Sequence, residues 1–188
     1  MNILTLRRLL KTFSIPLLLL LMSCSSDQTH YRDTTPKLVL EDYFNGPITA
    51  WGIVNDYNNQ VTRRFCVEMT GTWQENQGLL AETFYFDDGE VSYRNWQLTK
   101  NIDGSYKGSA EDVVGEASGY ADGFSFRWQY TLKLLLDDTE YEFSLDDWLY
   151  QMDEYRLFNQ TDMNKFGIIV AKLTIFFDKQ FPLRTCKK

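Results

Sequence analysis

From residue 124 to residue 134 every second side chain is large and apolar: Phe124, Phe126, Trp128, Tyr130, Leu132 and Leu134. Between them stand Ser125, Arg127, Gln129, Thr131 and Lys133. Such a run at a period of two excludes a helix, whose apolar face returns every three or four residues. It predicts a strand with one apolar face and one wet face. Phe65, Val67 and Met69 repeat the pattern against Arg64, Cys66 and Glu68, as do Tyr141, Phe143 and Leu145 against Glu140, Glu142 and Ser144. Leu173, Ile175 and Phe177 mark a more apolar strand near the end.

Turn residues separate these runs: Asn58-Asn59, Glu75-Asn76-Gln77-Gly78, Asp87-Asp88-Gly89, Asp103-Gly104, Ala121-Asp122-Gly123 and Asp137-Asp138. Asn, Asp and Gly tolerate the positive φ that tight hairpins need. Strands at this regular spacing indicate an antiparallel sandwich or barrel. A meander of successive hairpins closes most simply into a barrel, so the expected fold is all-β, an antiparallel calycin/lipocalin-like barrel of about 8–10 strands. Gly71-Thr72-Trp73 echoes the Gly-x-Trp of lipocalins, whose tryptophan closes one end of the barrel, although here it ends an early strand rather than beginning the first. Helical turns are expected only near residues 36–44 and 146–152.

The amino end has a different character. Arg7, Arg8 and Lys11 precede an apolar run from Ile15 to Leu21, and Leu21-Met22-Ser23-Cys24 follows. Basic start, apolar core, small residue and cysteine form a secretory signal of the lipoprotein type. The apolar run is far short of the ~20 residues of a spanning helix. The expected organisation is a signal peptide over residues 1–23, a tether over 24–37 lipidated at Cys24 (a site for palmitate and a diacylglyceryl group), and one barrel domain over 38–188. Ser25, rather than an aspartate, favours the periplasmic face of the outer membrane. Loss of Arg7, Arg8 and Lys11 takes the formal charge from −7 to −10. So acidic a chain repels phosphate backbones and anionic headgroups, so nucleic acid is not an expected partner and membrane contact should rest on the acyl chains.

His30 is the only histidine, and it lies in the expected tether. A barrel without histidine has no Ser-His-Asp or Cys-His site and lacks the commonest metal ligand. No metal and no cofactor are expected, and the chain is not expected to be an enzyme. Cys66 and Cys186 form an even pair in an oxidising compartment, which leaves two readings open, a disulfide or two separate thiols. The acidic runs Asp87-Asp88-Gly89-Glu90, Glu111-Asp112, Asp137-Asp138 and Asp146-Asp147 read as solvated turns, except that alternation points Asp147 inward. Trp51, Trp96, Trp128, Tyr130, Phe84 and Phe86 are expected inside, around a cavity or as a solid core. Arg63 and Arg94 share faces with Phe65 and Trp96. They are expected to pair with Glu82 or Asp147, or to meet the acidic head of a lipid. The candidate pocket is therefore Arg63, Phe65, Phe84, Arg94, Trp96, Trp128, Tyr130 and Asp147.

Motifs strung along the chain resemble one family: Tyr43-Phe44-Asn45-Gly46-Pro47, Ala50-Trp51-Gly52, Val61-Thr62-Arg63-Arg64-Phe65, Gly71-Thr72-Trp73, Phe86-Asp87-Asp88-Gly89, Trp96, Asp112-Val113-Val114-Gly115, Trp128-Gln129-Tyr130, Asp146-Asp147-Trp148 and Asn164-Lys165-Phe166-Gly167. It is the Gram-negative lipoprotein family called domain of unknown function 3833. The resemblance implies a single β-rich envelope domain and brings no activity with it; Cys66 and Cys186 are not part of its pattern. Lipid anchor and aromatic strand interior together predict an outer-membrane lipoprotein that binds a lipophilic or amphiphilic small molecule. Two other classes remain: a non-catalytic envelope scaffold using apolar patches such as Ile168, Val170 and Phe176, and a hydrolase working with Asp147 and Glu82 alone.

Overall fold

The computed structural model describes residues 28–186; the expected signal peptide and Cys24 lie outside them. The chain forms ten strands: β1 (Gly46–Asp56), β2 (Val61–Gln74), β3 (Gln77–Phe86), β4 (Val91–Lys100), β5 (Tyr106–Ser109), β6 (Val113–Asp122), β7 (Ser125–Leu136), β8 (Thr139–Gln151), β9 (Arg156–Lys165) and β10 (Ile168–Asp178). Each pairs antiparallel with the next, and β10 returns to pair with β1, so the sheet is a closed barrel without free edges. Asp137 and Asp138 both take positive φ, 48° and 60°, in the tight β7–β8 turn. The helical expectation for residues 146–152 fails, because residues 146–151 are the second half of β8, paired with β7 and β9.

The inward residues of β7 are Phe126, Trp128, Tyr130, Leu132 and Leu134. Phe124 instead precedes the strand and packs on Tyr31, with ring centroids 5.0 Å apart. In β1 the inward face is Ile48, Ala50, Gly52 and Val54, which puts Trp51 outside, contrary to the alternation first expected. The reason is local. Gly52 lies opposite Phe65, and a Cβ there would sit 2.2 Å from the Phe65 ring, so the ring fills the space that glycine vacates. Trp51 stacks on Phe176 across β10 at 6.3 Å, and Phe176 packs on Phe158 at 5.0 Å.

One end of the barrel is stoppered. A turn of helix, α1 (Leu40–Tyr43), turns Leu40, Tyr43 and the following Phe44 inward, where all three are buried. Gly71 admits the stopper, since a Cβ at that position would lie 1.9 Å from the Phe44 carbonyl oxygen. Two residues on, Trp73 donates its indole N–H to the same oxygen at 3.0 Å. Gly71-x-Trp73 thus closes the base by backbone approach and one hydrogen bond. Polar ties hold α1 in place: Lys100 pairs with Glu41, Tyr106 donates to Glu41 Oε2 at 2.6 Å, and Lys179 Nζ donates to the Tyr43 carbonyl at 2.9 Å. Burial opposes ionisation of Glu41, yet Lys100 and Tyr106 bring its pKa below the ordinary carboxylate range.

Residues 28–37 of the segment expected as tether do not stand clear of the domain. Residues 28–31 form a 3₁₀ turn, and the Gln28 side chain is buried, donating to the Tyr120 carbonyl at 2.8 Å. Tyr31 packs edge-on against Trp148 and Tyr150 outside β8, and Leu38 N–H donates to the Gly123 carbonyl at 2.8 Å. Gly123, at φ +57°, makes this possible, because a Cβ there would lie 1.7 Å from the Tyr31 carbonyl oxygen. The segment lacks apolar periodicity because it docks by hydrogen bonds and a single ring.

At the other end of the chain, residues 179–186 run across the outside of β1 and β2. Thr49 donates to the Arg184 carbonyl at 2.7 Å and Cys186 N–H donates to Glu68 Oε1 at 2.8 Å. Cys186 is disulfide-bonded to Cys66 on the outer face of β2, with Cα atoms 5.6 Å apart.

Candidate functional site

Inward side chains do not fill the barrel. They enclose a cavity of about 600 Å³, within the range of small-molecule sites. Leu40 and Phe44 floor it at the stoppered end, and it reaches the opposite rim, where Arg63, Glu90, Tyr93, Leu134 and Leu135 lie around the mouth. All eight residues of the sequence-derived pocket line this one space: Arg63, Phe65, Phe84, Arg94, Trp96, Trp128, Tyr130 and Asp147. Glu82 joins them. Glycines on β5 and β6 make room for the largest ring, since a Cβ on Gly108 or Gly119 would meet Trp128 at 2.8 and 2.6 Å.

The walls fall into three zones. Near the mouth, Phe65, Phe84 and Phe86 form an aromatic group with centroids 5.6–6.1 Å apart, and the Arg63 guanidinium lies 3.5 Å from the Phe86 ring centre. Toward the floor, Phe126, Leu149 and Phe177 are apolar and buried. Midway between lies a polar belt. Glu82 of β3 stands opposite Arg94 of β4, and Tyr130 of β7, Asp147 of β8 and Thr161 of β9 continue it around the wall.

The arginines do not take the partners expected from sequence. Arg63 bonds Asp88 Oδ2 and Glu90 Oε2 of the β3–β4 turn, at 2.8 and 2.5 Å. Arg94 makes a bidentate pair with Asp112 of the β5–β6 turn, at 3.0 and 2.6 Å. Turn carboxylates reach over the rim and claim both guanidinium groups. Asp87 likewise bonds Arg64, and Glu111 accepts from Asn95, so these acidic runs are rim fastenings as well as turns.

Glu82 and Asp147 are consequently left without an arginine of their own. Glu82 Oε2 and Asp147 Oδ1 are buried and accept no hydrogen bond from another group of the protein. Burial raises the Glu82 carboxyl to a pKa of about 7; Arg94 opposes the rise, while Asp112 and Asp147 add to it. Burial likewise raises Asp147 to about 6, against the Thr161 and Tyr130 hydroxyls and Arg94. Tyr130 is driven well above its ordinary value, first by burial and then by the Asp147 charge. Sequence reasoning found Asp147 by its alternation and placed Glu82 as a counter-ion or as the partner of Asp147 in a carboxylate-only hydrolase. What it missed was Asp112, whose role depends on how the β5–β6 turn folds over the rim.

Around the mouth apolar side chains are exposed among the charged pairs. Tyr93, Leu135, Phe166 and Ile168 are exposed at the rim or on adjoining hairpin tips, Phe166 almost completely at 93%. Of the outer-face residues considered as a patch, Ile168 is exposed, whereas Phe176 is partly covered by Trp51 and Phe158. Among the described residues, no group of three or more His, Cys, Asp or Glu is placed to hold a metal ion.

The described residues thus form a closed ten-stranded antiparallel barrel with an open mouth and a lined interior. Residues 18–179 match the family described as Protein of unknown function (DUF3833), and the chain belongs to that family. A search of curated proteins finds no match.

Proposed function

We propose that this protein is a lipid-anchored carrier or receptor of the outer-membrane periplasmic face, which holds a lipophilic or amphiphilic small molecule inside its barrel and catalyses no reaction. The observation that carries the reading is the cavity: about 600 Å³, walled largely by aromatic and aliphatic side chains and open at one end. A core evolved only for stability would fill that space, because each unfilled volume forfeits packing energy. The exposed Tyr93, Leu135, Phe166 and Ile168 beside the mouth support the same reading, since they offer a hydrophobic ligand apolar contact on its way in.

The binding test uses the domain from residue 28 onward, purified without detergent. Titration with N-phenyl-1-naphthylamine, a neutral apolar fluorophore, should give saturable enhancement at one site per chain. Leu134→Arg together with Phe84→Arg, two charges set in the upper wall, should weaken it at least tenfold. Enhancement that never saturates, or that survives both substitutions, counts against an interior site.

Anchoring rests on Leu21-Met22-Ser23-Cys24. The thiol of Cys24 becomes a thioether before the signal is removed, and the diacylglyceryl group with an amine-linked chain supplies the multiple acyl chains that stable attachment needs. Cys24→Ser should therefore accumulate an unprocessed precursor that takes up no radiolabelled palmitate, while the wild type is labelled and partitions into detergent. A wild-type protein released unlabelled by salt would refute the anchor.

A further inference from the structure

The polar belt specifies which end of an amphiphile the cavity accepts. An arginine inside a greasy barrel invites the expectation of an acidic head group. Arg94, however, already holds Asp112 through two hydrogen bonds, which neutralises its charge and occupies its donors on that side. Two further carboxyls face the same space, and each retains a buried oxygen that accepts nothing from the protein. An incoming carboxylate or phosphate would thus meet Glu82 and Asp147 with no free cation to offset them. Like charges brought together away from water repel strongly.

Arg94 is held by Asp112, and the Tyr130 and Thr161 hydroxyls turn to Asp147, yet one oxygen of each acid still has no protein donor, and aromatic faces surround the belt. Trp96 lies 5.7 Å from Trp128 and 5.3 Å from Tyr130, centroid to centroid, both edge-on, and all three rings line the cavity beside the two acids. Aromatic faces and carboxylates favour the same guest, a compact cation whose charge interacts with the rings and whose N–H groups reach the oxygens. The upper aromatic group of Phe65, Phe84 and Phe86 then covers an apolar body directed toward the mouth.

We propose that the belt is a binding site for the protonated amine of an amphiphile, with Glu82 and Asp147 as its acceptors. The assignment rests on the cavity being a ligand site, and the test separates the two ideas. Dodecylamine, dodecanol and dodecanoate, each below its micelle concentration, compete with N-phenyl-1-naphthylamine on the same domain. Dodecylamine should displace the fluorophore at least tenfold more effectively than dodecanol, the ratio expected of one charge-assisted hydrogen bond over a neutral one. Dodecanoate should be the weakest. In the Glu82→Gln/Asp147→Asn variant the amine should lose its advantage while dodecanol competes as before. The acidic outer surface is unchanged there, so the loss cannot come from amine gathered on the exterior. The single Glu82→Gln variant gives an intermediate ratio and serves if the double variant folds poorly. Dodecanoate competing as well as the amine, or an amine advantage that survives both amides, overturns the head-group assignment and leaves the cavity reading intact. Failure of all three to compete overturns both.

Discussion

Replacing Cys66 and Cys186 by serine should cost this protein a large share of its stability and leave the barrel intact. The bridge joins residues 120 apart, from the second strand to the tail, and so encloses nearly the whole barrel. In the chain-entropy picture a loop of that order lowers the entropy of the unfolded chain by about 4–5 kcal/mol, and native bridges typically cost 2–5 kcal/mol when removed. Both sulfurs lie outside the barrel and the tail supplies no strand, so the native ladder loses no hydrogen bond. The effect should therefore appear in the unfolding equilibrium and not in the cavity. In urea the midpoint should fall by 1 M or more, with an m-value of about 2 kcal/mol per M. The site should still take up N-phenyl-1-naphthylamine, while Trp51 fluorescence shifts to the red as residues 181–184 leave its side. An unchanged midpoint under reductant would deny the bridge its role. Loss of the cavity along with the bridge would mean that the tail organises β1 and β2.

The alternation from Phe126 to Leu134 was legible because one face of β7 is wet and the other is not. The same reasoning erred on Trp51, since β1 is apolar on both faces: Ile48 and Ala50 look inward, and Trp51 meets the returning tail. A period of two cannot choose between two apolar faces. The choice lies with Gly52, whose missing side chain is filled by a ring from the neighbouring strand. The turn of helix near Phe44 was legible, but the docking of residues 28–37 was not, because polar side chains bonding to distant carbonyls leave no periodic trace. Of the pocket, the wall residues followed from alternation alone. Charge pairing did not follow, because Asp88, Glu90 and Asp112 sit in turns whose path over the rim is a tertiary matter. From sequence the interior balance favoured arginine; with both arginines claimed by the rim it favours the acids.

That balance has a measurable cost. Glu82 is shifted from its ordinary 4.5 up to about 7, and Asp147 from 3.8 up to about 6, in each case chiefly by burial. The groups facing them are Arg94 from β4, Asp112 from the β5–β6 turn, Tyr130 from β7 and each other. A carboxyl with a raised native pKa binds its proton more tightly folded than unfolded. Its contribution is thus fully favourable below the unfolded value and is lost as pH climbs through the native one. For Glu82 alone the shift amounts to roughly 3 kcal/mol, and Asp147 adds to it, although coupling between the two prevents simple addition. Carboxylates with lowered pKa, such as Glu41 and Asp153, act with the opposite sign and in a lower window, losing their contribution as pH falls. From pH 5 to pH 8 the buried pair should dominate. The urea midpoint of the ligand-free domain should fall over that interval by about 1.5 M. The Glu82→Gln/Asp147→Asn variant should be nearly flat and more stable than the wild type at pH 8, since an amide is never forced to ionise in a dry wall. A wild-type midpoint that held steady or rose from pH 5 to pH 8 would mean that water or a counter-ion satisfies the two acids. A stability penalty at working pH, removable by two isosteric substitutions, persists where a site has a use for the charge.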